Sequence, residues 1–183
     1  MFCLSLQEPY AWLILQRAYE DDPKKPLKPI ENRDWPLPKS FKVPQRILIH
    51  ASLTMYPGAD LQEIHRIMTA SQWLRHRAAL HSIWNLWESY RSRPQELKKF
   101  RYFGHILGSV VISGQVTESD DPWFFGPYGF TVEYPELLPV PIPYRGMLKF
   151  FDVPETCLSR LSKLRFYGVE KASLVTLPAK RGS

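Results

Sequence analysis

The sequence lacks long apolar runs and is poor in cysteine. No apolar run approaches the roughly 20 residues of a membrane-spanning helix. No basic cluster precedes an apolar stretch near residue 1, as it would in a secretory signal. The two cysteines, Cys3 and Cys157, stand far apart and without metal-type spacing. We therefore expect a cytoplasmic protein with no membrane segment, disulfide framework or zinc site.

The sequence also lacks the short motifs of several common enzymes. It contains no P-loop, no Rossmann glycine fingerprint and no serine nucleophile elbow. His65, His76 and His81 have no acidic residue at a spacing that would complete a metal site. We therefore expect neither a metal ion nor a cofactor. Whether the protein is an enzyme stays open at this point.

What the chain has in abundance is proline and aromatic residues. Its 183 residues include 17 prolines, six tryptophans, nine tyrosines and ten phenylalanines. Prolines interrupt helices and central strands, so long loops are expected. The formal net charge of +6 suits a nucleic acid or another anionic partner without identifying one.

Hydrophobic patterning predicts one α+β domain. Strands are expected at residues 2–6, 46–52, 106–117, 130–133 and 147–153, with 135–143 as an edge segment. Helices are expected at residues 10–18 and, as a pair, within 59–91, and residues 20–45 form an extended loop. Several short strands with few helices favour a small closed or half-closed β-barrel.

Several segments, taken in their order along the chain, resemble a known family. They are residues 4–12 (LSLQEPYAW), 28–35 (KPIENRDW), 47–51 (ILIHA), 107–111 (LGSVV) and 143–151 (PYRGMLKFF). This ordered set resembles the ASCH domain family of the PUA-like superfamily, whose signature is G-x-K-x-x-E-x-R. Lys28, Glu31 and Arg33 match that signature, whereas Pro26 stands at the position of its glycine.

The resemblance implies a PUA-like β-barrel with flanking helices over residues 1–156. In this interpretation residues 59–101 are a helical insertion and residues 157–183 a basic C-terminal extension. Family members are thought to bind RNA or other nucleic acids, and related folds read modified bases. The leading hypothesis is therefore a nucleic-acid-binding module that takes single-stranded or modified nucleotides in a cleft beside the signature. RNA is the favoured ligand, with DNA or a modified nucleoside as the other candidates.

Two alternatives remain open. Some similar small proteins hydrolyse the acetyl amide of N4-acetylcytidine with a lysine, a threonine three residues later and a distant glutamate. Lys28 matches that lysine, but Glu31 stands where the threonine would be, so Lys28 and Glu31 would have to be the catalytic pair. The second alternative is a protein-interaction domain that docks a partner through the helical insertion.

The signature residues form a charged cluster with two interpretations. Glu31 lies between two cations and is expected to stay ionised and hold both in place. Lys28 and Arg33 fixed in this way are suited to gripping a phosphate. The other interpretation is a solvated ion-pair cluster on a loop. In either case a polar, proline-rich loop implies that substitution of Lys28 changes stability little.

Aromatic residues near the signature and in a later loop are candidates for stacking on a base. Residues 121–130 contain five aromatic residues, of which Trp123 and Tyr128 have polar tips and are the better ligand candidates. The alternative is an apolar plug closing one end of the barrel. The other ligand-binding candidates are Trp35, Gln7, Tyr10, His50 and Ser52. A lone histidine at the end of an apolar strand, such as His50, is also typical of a hydrogen-bonded core residue.

Overall fold

Six strands and three α-helices make up the part of the chain that a computed structural model describes, residues 1–154 and 156–157. The strands are β1 (Phe2–Glu8), β2 (Ile30–Arg33), β3 (Gln45–Met55), β4 (His105–Val116), β5 (Tyr128–Pro143) and β6 (Phe150–Asp152). The helices are α1 (Tyr10–Leu13), α2 (Leu61–Ile67) and α3 (Ala70–Tyr90), followed by a 3-10 helix (Pro94–Lys99). The predicted α+β class is confirmed. None of the described helices is both long enough and apolar enough to cross a membrane.

The strands form one mixed sheet in the order β2-β5-β4-β3-β1-β6. β1 and β3 run parallel, and the other paired strands are antiparallel. The sheet does not close into a barrel, so the prediction of a barrel is wrong on this point. The two edge strands approach each other through side chains instead, since Trp35, just after β2, lies 5.5 Å from Phe150 of β6 between ring centroids. Aromatic rings fill the seam where strand pairing would have closed the sheet.

Several predicted elements have different bounds in the structure. β2 lies inside the segment predicted to be a loop, and it is a strand because it pairs with residues 128–131 of β5. The strand predicted at 130–133 and the edge segment at 135–143 are both parts of β5, whose second half pairs with β4 alone. α1 ends at Leu13, well before residue 18, and β6 starts at Phe150 rather than at residue 147.

The pair of helices predicted within 59–91 is confirmed. The break between them falls at Thr69, whose side chain caps α3 in a reciprocal arrangement with Gln72. Leu80 and Ile83 of α3 are buried in a core cluster with Trp12, Leu13 and Phe103. Trp73, Trp84 and Trp87 pack against the same cluster, so these helices lay their aromatic residues on the domain. Residues 158–183, most of the predicted basic extension, lie outside the described residues.

Alternation along β1 and β3 sends side chains to two different environments. Leu4 and Leu6 of β1 enter the main core cluster together with Ile47 and Ile49 of β3. The intervening residues therefore face the opposite side of the sheet. Toward the carboxyl ends of the two parallel strands these residues are polar, namely Ser5 and Gln7 on β1 and His50, Ser52 and Thr54 on β3.

Candidate functional site

A cleft of about 370 Å³, the first cleft, lies at the carboxyl ends of β1 and β3. β2, α1, the loop that contains Phe125 and the segment 147–149 complete its walls. Six of the predicted site residues line it, and these are Gln7, Tyr10, Lys28, Glu31, Arg33 and Ser52. The structure thus brings the signature residues and the start of the first helix together around one cleft.

Glu31 holds both signature cations. Its Oε2 lies 2.8 Å from Lys28 Nζ, and its Oε1 lies 3.0 Å from Arg33 Nη2. Lys28 Nζ also donates to the main-chain oxygen of Ile30. Because the Lys28 side chain is only 1% exposed, a solvated cluster on a loop is wrong for this residue. For the same reason we now expect substitution of Lys28 to lower stability, since its loss would leave a buried carboxylate underpaired.

The charge that the first cleft offers to a ligand comes mainly from Arg33 and Lys149. Burial lowers the pKa of Lys28 while the neighbouring Glu31 carboxylate opposes that shift, and the charges of the pair cancel each other. Arg33 Nη2 donates to the main-chain oxygen of Ser5 at 3.0 Å. Its Nε is a buried donor without a hydrogen-bond partner in the described part of the chain. Lys149 is exposed at the rim.

Three aromatic rings form one wall of the first cleft. Tyr10 lies 5.4 Å from Tyr56 and 6.0 Å from Phe125, measured between ring centroids. Phe125 is 51% exposed and so offers a free face. Asn32 of β2 holds the Phe125 loop in place, since its Oδ1 accepts from Phe125 N at 3.0 Å and its Nδ2 donates to Trp123 O at 2.8 Å.

The aromatic residue that the 121–130 loop contributes to the cleft is Phe125 rather than the predicted Trp123 or Tyr128. Trp123 is buried in the core cluster beneath the helical segment, so it neither faces a ligand nor closes the end of a barrel. Tyr128 lies opposite Arg33 in the β2–β5 register and packs against the main core. Trp35 also packs into that core, between the rings of Phe130 and Phe150. None of these three predicted ligand residues lines the first cleft.

The floor of the first cleft carries a hydrogen-bonded polar row. Gln7 Nε2 donates to Thr54 Oγ1 at 3.0 Å, and Ser52 Oγ lies 3.0 Å from the same oxygen. Sequence analysis missed Thr54 because the parallel pairing of β1 with β3 is not visible in either strand alone. The signal in the sequence is the polar residue at every second position of His50-Ala51-Ser52-Leu53-Thr54 after an apolar run.

A second cleft of about 830 Å³ adjoins the first and shares Ser5, Ser52, Met147 and Leu148 with it. His50 lines it, as do the side chains of Lys98 and Arg145. The His50 ring is almost fully buried and hydrogen-bonded on both nitrogens. Burial lowers its pKa to about 4, so the ring is neutral at pH 7.

Comparison with known proteins adds no relative. No protein-family model matches the chain, and no curated protein matches it either.

Glu8, which follows Gln7 and is the last residue of β1, is fully buried. Its Oε2 accepts from Trp12 N at 3.1 Å, and burial raises the pKa of the carboxyl to about 8. Between its ordinary pKa of 4.5 and this value, the unfolded chain releases the proton while the folded chain keeps it. The contribution of Glu8 to the free energy of unfolding therefore falls as the pH rises through this window.

Replacement of Glu8 by glutamine is expected to remove this pH dependence, because the amide stays neutral. A pKa difference of one corresponds to about 1.4 kcal/mol. We therefore expect the free energy of unfolding of Glu8→Gln, relative to that of wild type, to rise by about 3 kcal/mol between pH 5 and pH 8. Urea unfolding at the two pH values measures this difference. Glu118→Gln, at an exposed position, is the matched control and should follow wild type. If the free energies of unfolding of wild type and Glu8→Gln change equally with pH, Glu8 is not buried in neutral form.

Proposed function

We propose that the first cleft binds one unpaired nucleotide of a single-stranded nucleic acid, with RNA favoured by the resemblance to ASCH domains. The observation that carries this proposal is the wall of Tyr10, Tyr56 and Phe125 facing the Glu31–Arg33 pair. Aromatic faces stack on bases, and the amide and hydroxyl groups opposite suit the edges of a splayed-out base. A volume of about 370 Å³ is in the range of small-ligand sites.

The roles of the signature residues follow from their contacts. Lys28 and Arg33 fix the Glu31 carboxylate in one orientation, so it can accept hydrogen bonds from a bound base without changing conformation. Arg33 and Lys149 supply the positive charge for a phosphate. Lys28 takes a different role from the one predicted, since it is buried behind Glu31 and orients that carboxylate. In this proposal Lys28 supports the site without touching phosphate.

The amidohydrolase alternative draws little support from this geometry. A lysine that serves as the catalytic base needs a free lone pair within reach of the substrate. Lys28 Nζ instead donates to Glu31 and to the Ile30 carbonyl, and its side chain is 1% exposed. The protein-interaction alternative stays a prediction.

Single-stranded RNA is expected to bind with a micromolar Kd that rises with salt, because phosphate contacts release counterions. Fluorescence anisotropy with a labelled mixed-sequence oligonucleotide at two salt concentrations measures this. Single-stranded DNA of the same sequence and the RNA duplex are run beside it, and the duplex should bind less well because its bases are stacked and paired. No binding to either single strand at low salt would contradict the proposal.

Phe125→Ala is expected to weaken RNA binding about tenfold or more, since stacking on one base contributes about 1–3 kcal/mol. The exposed ring is expected to contribute little to folding, so thermal melting should stay near wild type. Tyr19→Ala is the matched control, because Tyr19 is also an exposed aromatic residue, at 46%, but lines neither cleft. Equal effects of the two substitutions would place the bound base outside the first cleft.

A further inference from the structure

A serine and a histidine meet at the border of the two clefts. Ser5 and His50 are register partners in the parallel β1–β3 pair, and Ser5 Oγ lies 3.0 Å from His50 Nδ1. The other ring nitrogen, Nε2, lies 3.0 Å from the main-chain oxygen of Tyr144. Because a carbonyl oxygen only accepts, this network assigns the proton to Nε2 and leaves Nδ1 to accept the Ser5 hydroxyl proton.

This arrangement contains the parts of an activated nucleophile. A hydroxyl within hydrogen-bond reach of an unprotonated imidazole, itself oriented by a third group, is the general geometry of nucleophilic catalysis. Here the Tyr144 carbonyl takes the orienting position. The neutral state of His50 at pH 7 keeps the ring in its accepting form. Ser5 lines both clefts, so a substrate spanning them would pass beside this residue.

Arg33 supplies a positive group beside this pair. Its Nη2 donates to the main-chain oxygen of Ser5 at 3.0 Å, which anchors the guanidinium next to the nucleophile. Its Nε is the buried donor that lacks a partner among the described residues. Because this Nε is enclosed by protein, the oxyanion of an acyl-transfer reaction would be stabilised by the exposed part of the guanidinium, since Arg33 lines the first cleft together with Ser5.

We propose that Ser5 is the nucleophile of an acyl-transfer centre, with His50 as its general base and Arg33 as the stabiliser of the oxyanion. Among the described residues that line it, the second cleft has Lys98 and Arg145 and no acidic residue, so the substrate class is an ester that carries an anionic group. This activity is additional to nucleotide binding and does not require it.

The chemistry balances without a cofactor. Ser5 Oγ bonds to the ester carbonyl carbon while its proton passes to His50 Nδ1. The bond to the leaving alcohol then breaks, and that alcohol takes the proton from His50. A water molecule then attacks the carbonyl carbon of the acyl-serine and gives a proton to His50. The bond from that carbon to Ser5 Oγ breaks, the carboxylic acid leaves, and Ser5 Oγ takes the proton back from His50.

Covalent trapping is the sharpest test. A general base of low pKa is a weak base, so turnover would be slow, whereas a covalent adduct on the serine accumulates and can be detected by mass. The full chain is incubated with diisopropyl fluorophosphate, and separately with p-nitrophenyl acetate, and analysed by intact mass and peptide mapping. We expect one adduct, on Ser5. Ser5→Ala should lose it, whereas Ser82→Ala, an exposed serine on α3 outside both clefts, should keep the wild-type labelling rate.

His50→Gln is expected to slow labelling of Ser5 at least 100-fold while circular dichroism shows a folded protein. If that variant does not fold, the labelling rates of Ser5 and Ser82 in the wild-type chain are compared. Of these two serines, Ser5 is the one hydrogen-bonded to a histidine, so it should be labelled faster. No adduct, labelling of both serines at similar rates, or unchanged labelling in folded His50→Gln would overturn the proposal. His50 does not line the first cleft and Phe125 does not line the second, so His50→Gln should keep RNA binding and Phe125→Ala should keep labelling of Ser5. The two proposals therefore fail separately.

Discussion

Glu31→Gln is expected to lower the free energy of unfolding by about 3–5 kcal/mol, because it leaves the buried ammonium of Lys28 without its carboxylate. The same change removes the ion pair to Arg33, whose side chain is mostly buried as well. Urea or guanidinium unfolding at pH 7 measures the loss. The double variant Lys28→Met/Glu31→Gln should recover much of it, since a buried apolar side chain of similar length needs no counterion.

The matched control is Glu133→Gln, which removes the ion pair between Lys24 and Glu133, whose side chains are 56% and 31% exposed. An exposed ion pair contributes about 0–1 kcal/mol, so this variant should unfold close to wild type. If Glu31→Gln and Glu133→Gln lose the same amount, Glu31 does not hold a buried cation. Because the pair also shapes the first cleft, the double variant separates the two roles of Glu31: it should be stable and yet bind RNA poorly.

Gly108→Ala is expected to be the most damaging single-methyl substitution in the sheet. A Cβ at this position would lie 2.1 Å from the main-chain oxygen of Glu136 and 2.8 Å from Leu15 Cδ2. The β4–β5 register shifts between Ile106 and Gly108, and β5 passes close to the glycine there. Main chain cannot move aside as a side chain can, so we expect a loss of about 3 kcal/mol or a failure to fold.

Gly114→Ala on the same strand is the control for this prediction. Its Cβ would lie 3.2 Å from Thr131 Oγ1, a side-chain atom that has room to shift. Chemical denaturation of both variants should therefore show a loss for Gly114→Ala that is well below that for Gly108→Ala. Equal stability of the two variants would contradict the close approach of β5 to Gly108.

The predicted strands that match the structure are those whose signal lies within a few residues. β1, β3 and β4 are runs rich in apolar residues, and each was predicted near its observed bounds. The helical pair was predicted for the same reason, although its break needed the cap at Thr69 to be located. β2 was missed because four residues between prolines have no strand pattern of their own. They are a strand only because β5, about 100 residues later, pairs with them.

The sequence by itself determined the α+β class, most of the strands and the residue types at the site, because local hydrophobic patterning and the signature spacing are short-range properties. It also placed Glu31 correctly between two cations, since alternation of charge is visible within six residues. Only the tertiary structure decided that Lys28 is buried, that Phe125 rather than Trp123 faces the cleft, and that Ser5 meets His50. Each of these depends on which distant segments pack together. Burial and contact across a parallel strand pair are set by the whole fold, and no spacing along the chain encodes them directly.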